Sequence, residues 1–185
     1  MERIFKEKKA TQAAVFLLDK HGGAMSYMKL IKLLYLVDRK TLLKFGHSIS
    51  NDIYFSLDHG PILSKILDII NEGSWNGVGD YWISYITKPI GYDVLLRDTK
   101  CSMDELSEAE LEVLAEVFIE HGHKDKWELV DWMHTHIPEW EDPSGSRSPI
   151  SYSDIFVAEQ RNPTEAVDIE KNLSHVAFLD RLIAL

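Results

Sequence analysis

Lys29-Leu-Ile-Lys-Leu-Leu-Tyr-Leu-Val-Asp-Arg39, followed by Phe45-Gly46 and then His59-Gly60-Pro61, decides how this 185-residue chain folds. Leu30, Leu33, Leu34, Val37 and Thr41 fall on one stripe of a helix, and Ile31, Tyr35 and Leu42 widen it beyond an ordinary surface helix. The spacing predicts a helix over about 27–45, enclosed on most sides. Ser26 is placed to cap its start and Gly46 to stop it. Lys29, Lys32, Asp38 and Arg39 punctuate the run, and each charge needs water or a partner. Beyond it, 52–57 is short and β-prone. Pro61 suits the first turn of a further helix carrying Ile62, Ile66, Ile69 and Ile70 as far as Gly73.

Working outward, Ala10, Ala13, Ala14 and Leu17 predict a first helix over about 6–20, ended by Gly22-Gly23. Trp75 to Gly79 reads as loop. Tyr81 to Thr87 and Tyr92 to Leu96 are rich in aromatic and β-branched residues around Lys88-Pro-Ile-Gly91, which predicts a hairpin. With 52–57 it would make a three-stranded sheet. Ser107-x-x-Glu110 is a capping box ahead of Leu111, Leu114, Ala115 and Phe118, so a helix spans about 108–121 and Gly122 ends it. Asp125 caps a short helix through Met133. Pro138 to Pro149 is loop, Tyr152 to Gln160 a short helix, and Asn162-Pro163-x-Glu165 opens a last helix on Ile169, Leu173, Val176, Leu179 and Ile183. The fold class expected is mainly α (α+β): a compact helical domain with a small antiparallel sheet or hairpin. Residues 1–142 read as the domain, and 143–185 as a loop and helical extension packing on it.

A chain this long buries roughly 70% of its unfolded surface and needs no staples. Its 45% hydrophobic and 27% charged content is ordinary for a soluble globular protein. The single cysteine, Cys101, excludes an intrachain disulfide, fits a reducing cytoplasm and lies in a polar stretch that gives a thiolate no cationic support. No signal-peptide core follows Met-Glu-Arg-Ile-Phe-Lys-Glu-Lys-Lys, and no apolar run nears the ~18 residues of a membrane span. The net charge of −10, from 20 basic and 30 acidic residues, argues against a protein held to phosphates. A cytoplasmic protein is expected, with no membrane and no direct nucleic-acid partner.

Catalytic signals are weak. His121, His123, Asp131, His134 and His136 suggest a metal site, but His-x-Glu-x-x-His is absent and the pairs point to different sides, so helix-end hydrogen bonding is the expected role. No Gly-x-Ser-x-Gly elbow and no phosphate loop occurs, and Gly73-x-x-x-Gly77-x-Gly79 lacks the following lysine. Asp58-His59-Gly60-Pro61 sets an acid beside a base, but neighbours cannot orient each other as a triad requires, so it reads as a turn. No catalytic residue, metal or cofactor is expected. Of the five tryptophans, Trp82 and Trp127 are assigned to the core; an exposed cluster would instead mark an interface. Glu108, Glu112, Glu116 and Glu120 recur every fourth residue of one helix, either as a solvated face or as an acidic ladder for a basic partner.

Lys29-Leu30-x-Lys32-Leu33-Leu34-Tyr35, Phe45-Gly46 and Gly60-Pro61-Ile62, with a fainter His136-x-Pro138-x-Trp140, resemble the signature of the Panacea domain, the SocA-like antitoxin family of bacteria and phages. The resemblance spans about residues 10–142. It implies a non-enzymatic antitoxin whose partner is a cognate toxin encoded by a neighbouring gene. In one branch of the family the antitoxin also delivers its toxin to a cytoplasmic protease. It further implies that Leu30, Leu33, Leu34, Tyr35, Gly46, Gly60, Pro61 and Trp140 support the fold. Lys29, Lys32, Asp38, Arg39 and the glutamate ladder are then candidates for the toxin surface, with an internal ion-pair network as the competing role for the first four. An adaptor without a toxin and a small metal-dependent hydrolase are the alternatives, and a homo-oligomer stays open.

Overall fold

The structure is a computed structural model describing residues 4–97 and 100–183, with the side chains of the last helix described only to residue 176. In chain order the elements are α1 (Glu7–Lys20), β1 (Ala24–Ser26), α2 (Tyr27–Phe45), β2 (Tyr54–Leu57), β3 (Gly60–Leu63), α3 (Ser64–Glu72) and α4 (Asp80–Tyr85). There follow β4 (Asp93–Leu95), α5 (Glu108–His121), α6 (Lys126–His136), β5 (Ser148–Ile150), α7 (Tyr152–Ala158) and α8 (Pro163–Ile183). The fold is mainly α with some β.

The central helix, α2, is as enclosed as its composition requires. It packs on α1, α3, α5, α6 and β3, and Leu30, Leu33, Tyr35 and Leu42 have no exposed surface. Full burial of each such side chain is worth about 1.5–3 kcal/mol. Gly46 ends it in the left-handed conformation at φ 76°, where a side chain would be strained. Ser26 precedes it but makes no cap. Its hydroxyl is buried without a hydrogen-bond partner among the described residues.

Two sheets flank this core: β1 with β4, and a three-stranded sheet in the order β3-β2-β5, all antiparallel. Both differ from the expected hairpin. Residues 80–85 are helical, because Glu7 of α1 accepts the amides of Tyr81 and Trp82 (2.8 and 3.2 Å) and Trp82 sinks into the core. That leaves β4 to pair with β1, register Ala24 with Leu95. Pro61 does not open a helix. It lies in β3 opposite Ser56, and α3 begins at Ser64, where Asp52 accepts the amides of Lys65 and Ile66 (2.9 and 3.1 Å). The end of the expected 138–149 loop is strand, since β5 adds to β2 at Tyr54–Ile150.

The local capping boxes form as written. Ser107 and Glu110 cap α5, Asp125 and Glu128 cap α6, and α6 runs one turn past Met133 to His136. Ser151 and Asp154 cap α7 in the same way. Ile150, Tyr152, Ile155, Phe156 and Ala166 join the core that holds Leu30 and Leu33. The predicted contacts of Leu179 and Ile183 fall outside the described side chains. Among the described residues no helix is long and apolar enough to cross a membrane.

Candidate functional site

The separated pieces of the 29–61 stretch and of His136-x-Pro138-x-Trp140 meet on one side of α2. Tyr35 donates its hydroxyl to Glu139 at 2.7 Å, and Arg39 grips the same carboxylate through Nε (2.7 Å) and a terminal nitrogen (3.1 Å). Arg39 also reaches Glu159 at the end of α7 (2.8 Å). The Trp140 indole donates to the Leu57 carbonyl (2.9 Å), and His134 stacks on its ring at 3.9 Å. The two-point grip on a buried carboxylate fixes the 137–140 turn against α2. Glu139 occupies an unspecified position in the sequence pattern, so only its contacts reveal its role.

The charged positions of α2 differ in what they touch. Asp38 is buried and accepts hydrogen bonds from Ser50, through both amide and hydroxyl, and from Tyr54 (3.0 Å). Burial raises its pKa against these bonds. Lys29 is buried and donates to the Gly122 carbonyl beyond α5 (2.8 Å) and to His21 (2.9 Å), a cation set where the helix dipole is negative. Desolvation lowers its pKa. Lys32 is 1% exposed and donates to the Pro61 carbonyl at 3.2 Å. Burial pulls its pKa down to about 7. Three of the four charges thus lie inside the fold, and Arg39, half-buried, is fully engaged with glutamates. Gly60, at φ 97°, lies under Lys32: a Cβ there would stand 3.0 Å from its ammonium.

Beside Lys32 opens a cavity of about 400 Å³ whose wall includes Tyr27, Ile31, Lys32, His59, Ile62 and Leu67. A ring of contacts borders it. Tyr27 stacks on Tyr92 (6.5 Å), the Lys126 ammonium lies 5.1 Å from the Tyr92 ring and 5.5 Å from that of Trp127, and Trp127 meets His59 edge to face at 5.3 Å. Tyr92 is 68% exposed and Trp127 49%. This corrects the assignment of Trp127 to the core; Trp82 is buried as expected. Trp127 stands between Lys126 and Glu128 at the first turn of α6, off the buried Leu129, Val130 and Met133 face, and that spacing was the available signal. Tyr92 and Lys126 belong to no periodic pattern and are joined only by the fold.

The glutamate ladder divides. Glu116 pairs with Lys40 (3.0 Å) and Lys44 (2.8 Å), and Glu120 with Lys40 (3.0 Å), so this half is neutralised by α2. Glu108 and Glu112 are exposed on α5. Three of the histidines between 121 and 136 lie against tryptophans: His121 and His136 flank Trp132 at 4.3 and 4.6 Å, while His134 faces Trp140. Burial lowers His121 to a pKa of about 4. Among the described residues no three His, Cys, Asp or Glu side chains are grouped as metal ligands would be.

A family model, the antitoxin SocA-like, Panacea domain, matches residues 30–141. That interval contains α2 from Leu30 onward, Gly60-Pro61 of β3, Glu139 and Trp140, which the fold brings together. Searches of curated proteins and of solved structures return no match.

Proposed function

We propose that this chain, which belongs to the SocA-like, Panacea-domain family of antitoxins, neutralises a cognate protein toxin by binding it, with no chemistry of its own. The observation that carries the reading is the exposed Tyr92–Lys126–Trp127–His59 rim around an open cavity, on the side of α2 where the family-matched segments meet. Aromatic residues left half in water beside a concave apolar surface mark contact sites that dominate protein-protein affinity. Lys29, Lys32, Asp38 and Arg39 serve this face by holding it in shape. Glu108 and Glu112 form a second, acidic contact for a basic region of the toxin. Delivery of the bound toxin to a protease is a further step, consistent with family precedent and separable from binding.

The test is co-expression with the product of the neighbouring gene. Growth arrest by that product alone, rescue by this chain and co-purification of the two are expected. Trp127→Ala combined with Tyr92→Ala should weaken the complex by at least tenfold, since truncation of a central aromatic costs about 2 kcal/mol or more. A harmless neighbour that does not co-purify overturns the reading. Unchanged toxin half-life on binding would remove the protease step alone.

A further inference from the structure

We infer that the cavity beside the aromatic rim is a carboxylate site, which receives a carboxylate carried next to a hydrophobic side chain on an exposed segment of the toxin. The inference rests on the reading that the rim is the partner-binding face, and it names what that face recognises. Lys32 supplies the counter-ion, and Ile31, Ile62 and Leu67 supply the apolar wall.

An ammonium has three N–H donors. Among the described residues Lys32 has a single acceptor, the Pro61 carbonyl. A buried cation is normally matched by an anion, and this chain is not short of them, with 30 acidic to 20 basic residues. Other cations of α1 and α2 are matched: Lys9 to Glu110 at 2.8 Å, Arg39 to Glu139 at 2.7 Å, Lys40 and Lys44 to the ladder, while Lys29, without a carboxylate, has both His21 and the Gly122 carbonyl. Among the described residues Lys32 has neither a carboxylate nor a second acceptor. The acid on the cavity wall, Asp58, is exposed and accepts the amide of Gly145 (2.9 Å) instead.

A second unsatisfied group lies on the same side of Gly60. The His134 ring comes within 3.9 Å of the place a Gly60 Cβ would occupy, and its buried Nε2 has no hydrogen-bond partner among the described residues. The missing side chain at Gly60 leaves room beside both groups. Lys126 adds positive charge at the rim, 5.5 Å from the Trp127 ring. Two spare donors of a buried lysine that no carboxylate of the described residues bonds, and an apolar wall, fit a carboxylate on an apolar segment better than a neutral or cationic group.

The test uses the full chain with N-acetylphenylalanine as the probe and its amide as the neutral control, followed by chemical-shift titration. The acid should bind saturably, read at the amides of 27–32 and of His59, Gly60 and Ile62, and the amide probe about tenfold more weakly. Lys32→Met keeps the length of the side chain and removes the charge; it should abolish the preference for the acid. Asn71→Trp narrows the exposed mouth with Lys32 intact and should weaken the acid as much, so the inference does not depend on one variant folding. Equal binding of acid and amide, or an acid preference that survives Lys32→Met, overturns it. Both variants should also weaken the purified toxin complex by about tenfold. If Trp127→Ala weakens that complex and the two cavity variants do not, the carboxylate inference falls while the rim stands. If none of them weakens it, the rim falls as the toxin-binding face.

Discussion

At the scale of single residues, a buried lysine without an anion costs stability, and its pH dependence has a defined sign. Lys32 titrates near 10.4 in the unfolded chain and at about 7 in the folded one. Between those values the unfolded chain holds a proton that the folded chain lacks, so stability contributed at this site rises with pH across that window. Below pH 7 the folded protein bears the full cost of the buried charge. Lys32→Met should therefore stabilise the protein by a few kcal/mol near pH 6, with the gain shrinking toward pH 10. Denaturant unfolding of both proteins at the two pH values checks this; a gain independent of pH would place the cause in packing. Gly60 sets a second expectation. Gly60→Ala would combine a left-handed φ with a Cβ 3.0 Å from the ammonium, and should lower stability by about 1 kcal/mol or more in a melting experiment.

At the scale of elements, the helices divide by where their first-turn amides find acceptors. In α5, α6 and α7 the acceptor is local, a Ser or Asp answered three residues later by an acid. In α3 and α4 it comes from elsewhere in the chain, from Asp52 and Glu7. The box at Ser107 and the cap at Asp125 were legible from spacing, while the answer of Asp125 by Glu128 was not. The start of α3 and the existence of α4 were not, and α4 passed for a strand because its Tyr81-Trp-Ile-Ser-Tyr85 composition suits one. Ser107→Ala should cost about 1 kcal/mol, the ordinary value of a lost cap. Asp52→Ala should cost about 2 kcal/mol or more, because it leaves the amides of Ile53, Lys65 and Ile66 without their acceptor in a buried setting. Equal losses for the two variants in urea unfolding would contradict the distinction.

At the scale of the molecule, the family match ends at residue 141 but the core does not. β5 completes the three-stranded sheet and Arg39 of α2 reaches Glu159, whereas α8 lies mostly exposed over 167–176. We propose that residues 143–160 are part of the folding unit and that α8 is an addition to it. Removing 163–185 should leave a cooperative transition and keep toxin binding. Removing 143–185 strips β5 and bares Tyr54, which pairs with Ile150 and packs on Tyr152, and should abolish cooperative melting in a thermal scan. A cooperative transition in the shorter protein would make the extension dispensable.

What the sequence determined by itself was the periodic and the local: α1 and α2 from their apolar stripes, the stop at Gly46, the capped starts of α5 and α6, and the family from the 29–61 stretch. Each rests on residues within a few positions of one another, where spacing alone specifies geometry. Only the tertiary structure decided strand partners, the helical state of 80–85, the burial of Lys29, Lys32 and Asp38, and the exposure of Trp127. These depend on acceptors and surfaces set by the packing of separate elements, such as Glu7 for α4 and Glu139 for Arg39. The aromatic rim and the unmatched ammonium are of the same kind, because both arise from side chains that meet only when α2, the 58–60 turn and α6 pack together.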